Sequence, residues 1–279
     1  MIAAIRITVQ NVRQLGSGYD RLILGSDRPA PALDSCEMAD PLIEVTDLSK
    51  SYGPVVAVES LTFEVRSGEV LGLVGPNGAG KTTTLRSLCG IIHPTSGTIR
   101  IAGHDLRVSG PQAKTQLAFV PDEPQLFDYL TVEEHLKFVG RLYGVADAAA
   151  RSTRLLEELE LSDKARALPG ELSRGMKQKL AIACGLLHGP RALILDEPLT
   201  GLDPAGIKKM RGTIADRARE GAAVILSSHL LHLVEELCTR LLVIRRGRCV
   251  ALGTVPEIVG LRPDLEGKSL EDIFLSLTA

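Results

Sequence analysis

One short stretch constrains this chain more than any other: Gly75-Pro76-Asn77-Gly78-Ala79-Gly80-Lys81-Thr82-Thr83. It follows the apolar run Val70–Val74, which reads as a buried strand, and it opens a helix expected over Gly80–Cys89. Glycines at this spacing let backbone N–H groups turn inward around phosphate oxygens, and the helix start adds positive potential there. Lys81 has the reach for β- and γ-phosphates, and the Thr82 hydroxyl is a hard oxygen ligand for Mg²⁺. Chance produces such a string in on the order of one per cent of chains this long. The strand before it and the helix after it lower that further. The stretch reads as a phosphate-binding loop inside an α/β unit.

A second string points to the same edge of a sheet. Ala192–Leu195 reads as a buried strand, and it delivers the adjacent carboxylates Asp196 and Glu197 to its carboxyl end. Ligands of open α/β sheets bind at such ends. Alone the pair is a weak signal; after a phosphate loop it assigns Asp196 to magnesium and Glu197 to the attacking water.

Patterning along the chain organises these pieces. Leu42–Leu48 and Leu61–Arg66 read as strands bounded by Gly or Ser, and Gly97–Ala102 and Thr115–Val120 as further strands. Thr131 and Glu134 form a capping box, with Val132, Leu136, Val139 and Leu142 at helical spacing behind it. Ser152–Leu161 and Ser173–Leu187 read as further helices. After Ala192–Leu195 comes alternation: a helix over Pro204–Glu220, a strand Ala223–Ser227, a helix Leu230–Leu237 and a strand Arg240–Ile244. Such alternation implies a mainly parallel sheet covered by helices. The expected fold is an α/β, RecA-like P-loop NTPase core. An N-terminal antiparallel β portion precedes it, and a helical subdomain over about 126–187 is inserted in it. Residues 41–279 would form this domain. Residues 1–40, broken by Gly16-Ser17-Gly18 and Pro29-Ala30-Pro31, read as a loosely ordered extension, and Met38 is an alternative translation start.

Composition closes off other classes. In 279 residues, 32 Lys and Arg balance 34 Asp and Glu, a net charge of −2 that argues against a polyanion-binding surface spread over the whole protein, though not against a local phosphate site. Aromatic residues are 3% and Trp is absent, so no stacking platform for single-stranded nucleic acid is expected. No run approaches the roughly 18–20 apolar residues of a spanning helix. Five cysteines are scattered without a CxxC pair, which suits reduced thiols in the cytosol rather than disulfides or zinc. His229 and His232 have no apparent third partner for a metal.

Between the loop and the paired carboxylates lies Leu172-Ser173-Arg174-Gly175-Met176-Lys177-Gln178, at the start of an expected helix. Here the chain resembles the nucleotide-binding subunit of an ATP-binding-cassette (ABC) transporter, whose members carry a Leu-Ser-Gly-Gly-Gln signature. Leu172, Ser173 and Gly175 match; Arg174 replaces the first Gly and Met176 the Gln, a variant similar to exporter ATPases. The resemblance runs from about Leu42 to Ala279. It implies that Tyr52 stacks on adenine, that Leu202-Asp203 forms a subunit-interface loop, and that His229 contacts the γ-phosphate. It also implies that Ser173 and Gly175 face ATP bound to the opposite subunit, the helix start acting as an anion site. One element departs: the family's glutamine after the proline is here Asp122, following Pro121, with Gln125 the nearest amide.

The resemblance therefore implies Mg²⁺-dependent ATP hydrolysis at two composite sites of a homodimer or pseudo-dimer. Each would join Lys81, Thr82, Asp196, Glu197 and His229 of one subunit to Ser173 and Gly175 of the other. A separate integral-membrane permease would hold the chain at the cytoplasmic face of the cell membrane, docking on the helical insertion and the loop Asp122–Tyr129. The short C-terminus is similar to exporter subunits. The importer ATPase and the soluble ABC-type ATPase stay open as alternatives; a P-loop small-molecule kinase leaves the signature and His229 unexplained.

Overall fold

A computed structural model describes residues 40–260, 265 and 267–278. The expected extension over 1–40, apart from Asp40, and the alternative start at Met38 lie outside the described residues. Two sheets organise the rest. The first is antiparallel, with strands β1 (Pro41–Tyr52), β2 (Val55–Arg66), β4 (Ser96–Ile101) and the short β5 (His104–Asp105) in the order β2-β1-β4-β5. The second is built from β3 (Val70–Val74), β6 (Leu117–Val120), β7 (Ala192–Asp196), β8 (Ala223–Ser227), β9 (Arg240–Arg245) and β10 (Arg248–Gly253). Its order is β10-β9-β3-β8-β7-β6, parallel throughout except where β10 turns back on β9.

The reason for the central placement is visible in the strands themselves. All five residues of β3, β7 and β8 are buried, so these strands are covered on both faces. That is the condition of a parallel sheet between layers. One face packs with the antiparallel sheet and helix α1 (Lys81–Leu88) around Leu71, Leu73, Leu85, Ile194 and Ile225. The other contributes Val70, Leu193, Leu195, Val224 and Leu226 to a core completed by helices α3 (Val132–Leu142), α4 (Ala148–Glu158), α5 (Arg174–Leu186) and α6 (Pro204–Arg219).

Helices α3, α4 and α5 fall between β6 and β7, where the helical insertion is expected. Thr131 caps α3 reciprocally with Glu134: its hydroxyl accepts from Glu134 N (3.3 Å), and Glu134 Oε2 accepts from Thr131 N (2.8 Å). Buried His135, one turn on, accepts from Phe127 N through Nε2 (2.9 Å) and donates to Thr131 O through Nδ1 (2.8 Å). Both ring nitrogens are thus used by a neutral imidazole, and burial depresses its pKa. The effect is to tie the segment before α3 onto the helix.

Several boundaries differ from the sequence expectation. β2 begins at Val55 rather than Leu61, because its first half pairs with β1 through irregular register rather than through clean alternation. The segment before β6 is a short helix, α2 (Gly110–Thr115), so the strand starts at Leu117. The fourth helix starts at Ala148 instead of Ser152. β10 and the helices α7 (Leu231–Leu237), α8 (Val255–Gly260) and α9 (Leu270–Thr278) close a third core around Val234, Leu241, Val243 and Ile273.

Candidate active site

Sheet order assembles the site. β3, β8, β7 and β6 lie side by side and parallel, so their carboxyl ends open on one edge. The phosphate loop leaves β3, Asp196 ends β7 with Glu197 next, and Ser227 ends β8 just before His229. Asp122 stands two residues beyond β6. These segments enclose a cavity of about 430 Å³. Asn77, Gly78, Gly80, Lys81, Thr82 and Thr83 line it from the loop. Asp122, Asp196, Glu197 and His229 line it from the other strand ends, and Ala57 and Thr200 complete the wall.

The loop's shape depends on one position above all. Gly80 has φ 106°, and a Cβ there would lie 2.5 Å from the Ala57 carbonyl oxygen, so any side chain would collide with fixed backbone. Lys81 Nζ donates to Gly75 O (2.6 Å) and Pro76 O (3.2 Å), which holds the ammonium across the loop. Burial lowers the Lys81 pKa, opposed by the nearby charges of Glu197 and Asp196. Gly75, Pro76 and Ala79 stand behind the wall, Ala79 buried and accepting from Gly247 N at 2.8 Å.

Opposite the lysine, Asp196 is buried and accepts a 2.6 Å hydrogen bond from Ser227 Oγ. Burial pushes its pKa above the ordinary aspartate value and the Asp122 charge adds to this. The Ser227 bond and the charges of Arg86 and Lys81 act the other way. Glu197 sits at φ 50°, a left-handed conformation unusual for a residue with a side chain. Its amide donates to Ser227 O (3.2 Å) and Ser227 Oγ (3.1 Å), which anchors the turn. His229 holds the Glu197 carboxylate twice: its Nδ1 lies 2.8 Å and its backbone N 3.3 Å from Oε2. The arrangement presents a positioned carboxylate, an ammonium and hard oxygen donors around one space.

Besides Gly75, Pro76 and Ala79, four sequence-predicted residues lie outside this cavity wall. Ser173 caps α5, accepting from Met176 N at 3.2 Å, and Gly175 packs where a Cβ would meet Gly201 O at 2.8 Å. Asp203 caps α6 through Gly206 N (3.0 Å). Tyr52, half exposed at the end of β1, has Lys50 Nζ 4.9 Å from its ring centre. Gln125, the alternative to Asp122, also lies outside the wall and donates weakly to Glu123 O (3.4 Å). Two participants escaped the sequence reading. Ser227 serves both carboxylate positions, and its only signal was a polar residue closing an apolar strand. Arg174 donates to Asp122 Oδ1 at 3.2 Å, a pairing across 52 positions that no local pattern exposes.

Comparison with known proteins bears on this geometry directly. Residues 58–200 match the ABC transporter family model, a segment running from inside β2 past Asp196 and Glu197. The chain belongs to the ABC transporter family. It is 40% identical over 224 residues to the Nod factor export ATP-binding protein I of Paraburkholderia xenovorans (strain LB400), covering 80% of this chain and 74% of that protein. It is 36% identical over 221 residues to the probable multidrug ABC transporter ATP-binding protein YbhF of Escherichia coli (strain K12), covering 78% of this chain but 38% of that one. A solved structure described as the ATP binding subunit of an ABC transporter superposes with a TM-score of 0.81 at 37% identity, covering 85% of this chain and all of the other. ABC subunits of this kind are ATPases, and the P-loop α/β fold expected from sequence is the fold found.

Proposed function

We propose that this ABC ATPase powers export through a separate integral-membrane permease, closing as a homodimer on ATP and reopening after hydrolysis. The observation that carries this reading is the convergence of Lys81, Thr82, Asp196, Glu197 and His229 on one cavity. The export direction is supported by the name of the Paraburkholderia relative, a Nod factor export ATP-binding protein. Among the described residues no helix is long and apolar enough to cross a membrane.

Each residue has a task in this reading. Tyr52 stacks on adenine. The backbone of Gly75–Gly80 cradles the phosphates and Lys81 neutralises the β- and γ-phosphate charge. Glu197, its carboxylate fixed by His229, accepts a proton from the attacking water as the oxygen approaches the γ-phosphorus. His229 also faces the γ-phosphate. Ser173 and Gly175 at the start of α5, with Asp203, face the ATP of the second subunit. Differential contact of ATP with the two halves drives closure.

The donor set fits Mg²⁺. Thr82, Asp196 and Asp122 offer a hydroxyl and two carboxylates on one cavity, all hard oxygens. Among the described residues no group of three or more His, Cys, Asp or Glu is placed to cage an ion. When bound, the ion would neutralise phosphate charge. The permease would meet the segment Asp122–Tyr129, where Tyr129 is 92% exposed, and would seat the chain at the cytoplasmic face of the membrane.

Affinity purification from membranes of the native cell tests the reading. The expected result is one co-purifying multispanning protein that stimulates Mg²⁺-dependent ATP hydrolysis. An active ATPase recovered only from the soluble fraction, with no membrane partner, would support the soluble alternative instead.

A further inference from the structure

Two of the three positions at which this chain departs from the family motifs, Arg174 and Asp122, contact each other. Arg174, the first residue of α5, donates from Nη2 to Asp122 Oδ1 at 3.2 Å. The arginine stem lies flat on a third segment: a Cβ on Gly201 would stand 2.9 Å from Arg174 Cδ and 3.1 Å from Cγ. Gly201 has φ 79°, so glycine suits the backbone there and keeps the stem's path clear. A single side chain thus joins the loop after β6, the start of α5 and the loop leading to α6. Asp122 in turn lines the cavity that holds Lys81, Thr82 and Asp196.

We propose that Arg174 is a positioning residue that draws the Asp122 carboxylate to the start of α5 and thereby limits how strongly Asp122 attracts Mg²⁺. The inference rests on the proposed magnesium role of Asp122 and deepens it. While the guanidinium holds Oδ1, part of the Asp122 charge is neutralised and the carboxylate is directed toward the helix. Loss of Arg174 leaves an uncompensated negative charge on the cavity wall, and cation affinity rises. Both side chains are about half exposed, at 57% and 44%, so the pair is screened and its effect is modest. An exposed pair changes an equilibrium by about two- to five-fold.

The test is a double-mutant cycle of Arg174→Gln and Asp122→Asn in the full chain. It reads the Mg²⁺ concentration that half-saturates binding of a fluorescent ATP analogue, with hydrolysis read in parallel. Arg174→Gln keeps the stem on Gly201 and removes the charge. With Asp122 in place, it is expected to lower the half-saturating Mg²⁺ by about two- to five-fold. Added to the Asp122→Asn variant, it is expected to change nothing. Arg174→Lys, which keeps the charge, should restore most of the parental value, and 1 M salt should shrink the coupling. An equal effect of Arg174→Gln in both backgrounds would mean packing alone and would overturn the pairing. Asp122→Asn without effect on Mg²⁺ dependence would overturn the metal role and the pairing together. A parental protein that binds no ATP analogue would overturn the site itself.

Discussion

Replacing Ser227 with Ala probes the site through a buried residue outside the cavity wall. Ser227 is fully buried and its hydroxyl donates a 2.6 Å hydrogen bond to Asp196, itself only 8% exposed, so water cannot readily take its place. The same oxygen accepts from Glu197 N, but that amide has the Ser227 carbonyl at 3.2 Å as a second partner and keeps it in the variant. The loss is therefore concentrated on the Asp196 carboxylate. A hydrogen bond to a charged group contributes about 1.5–3 kcal/mol. At about 2–4 °C per kcal/mol for a domain of this size, Ser227→Ala should lower the unfolding midpoint by about 3–12 °C. The pH dependence carries the sharper information. Burial already raises the folded-state pKa of Asp196 above its unfolded value, so its ionised form costs stability above that pKa. The serine bond reduces that cost, so its removal raises the folded pKa further. The full deficit should appear well above the folded pKa and shrink as pH falls through it, because protonated Asp196 has less need of the bond. The assay is the unfolding midpoint of both proteins across acidic to neutral pH. A deficit that is the same at every pH, or no deficit at all, would refute the reasoning.

Lys81→Ala should abolish tight binding of ATP, measured with a fluorescent analogue, because the charge-assisted contact to the phosphates disappears. His229→Ala should leave binding largely intact and lower kcat by about 10- to 100-fold, the worth of one hydrogen bond to a charged group, since Glu197 loses its 2.8 Å anchor. Asp122→Ala should raise the Mg²⁺ needed for half-maximal hydrolysis and reduce stimulation by the proposed permease, with Asp122→Gln restoring both in part; a magnesium titration of the three proteins, with and without that permease, reads this.

What could be read in advance divides along physical lines. The phosphate loop, β3, β7 and β8 were legible because fully buried parallel strands have uninterrupted apolar runs and the loop has a rigid glycine pattern. Their neighbouring order, which brings Asp196 and His229 to the lysine, is a consequence of topology and is written in no local segment. The start of β2 was obscured because pairing at Ser51–Val56 and Lys50–Val58 shifts register, leaving exposed and buried positions without strict alternation. β10 was missed for a related reason: it is an edge strand with three exposed residues, signalled only by the Arg246-Gly247 turn, both at positive φ. Arg174 first read as a departure from a motif. Its partner Asp122 was a second departure, and only the fold shows that they meet.

The central claim is that the catalytic site is completed by a second copy of this chain. Glu197→Gln removes the base while preserving size and hydrogen-bonding shape, so ATP should bind and persist, hydrolysis slowing by about 10²–10⁴-fold. Size-exclusion chromatography with light scattering, run on this variant with and without Mg²⁺ and ATP, measures the assembly directly. The expected result is a monomer without nucleotide and a species of twice the mass with it. A protein that binds ATP tightly, hydrolyses it slowly and stays monomeric would contradict the composite site.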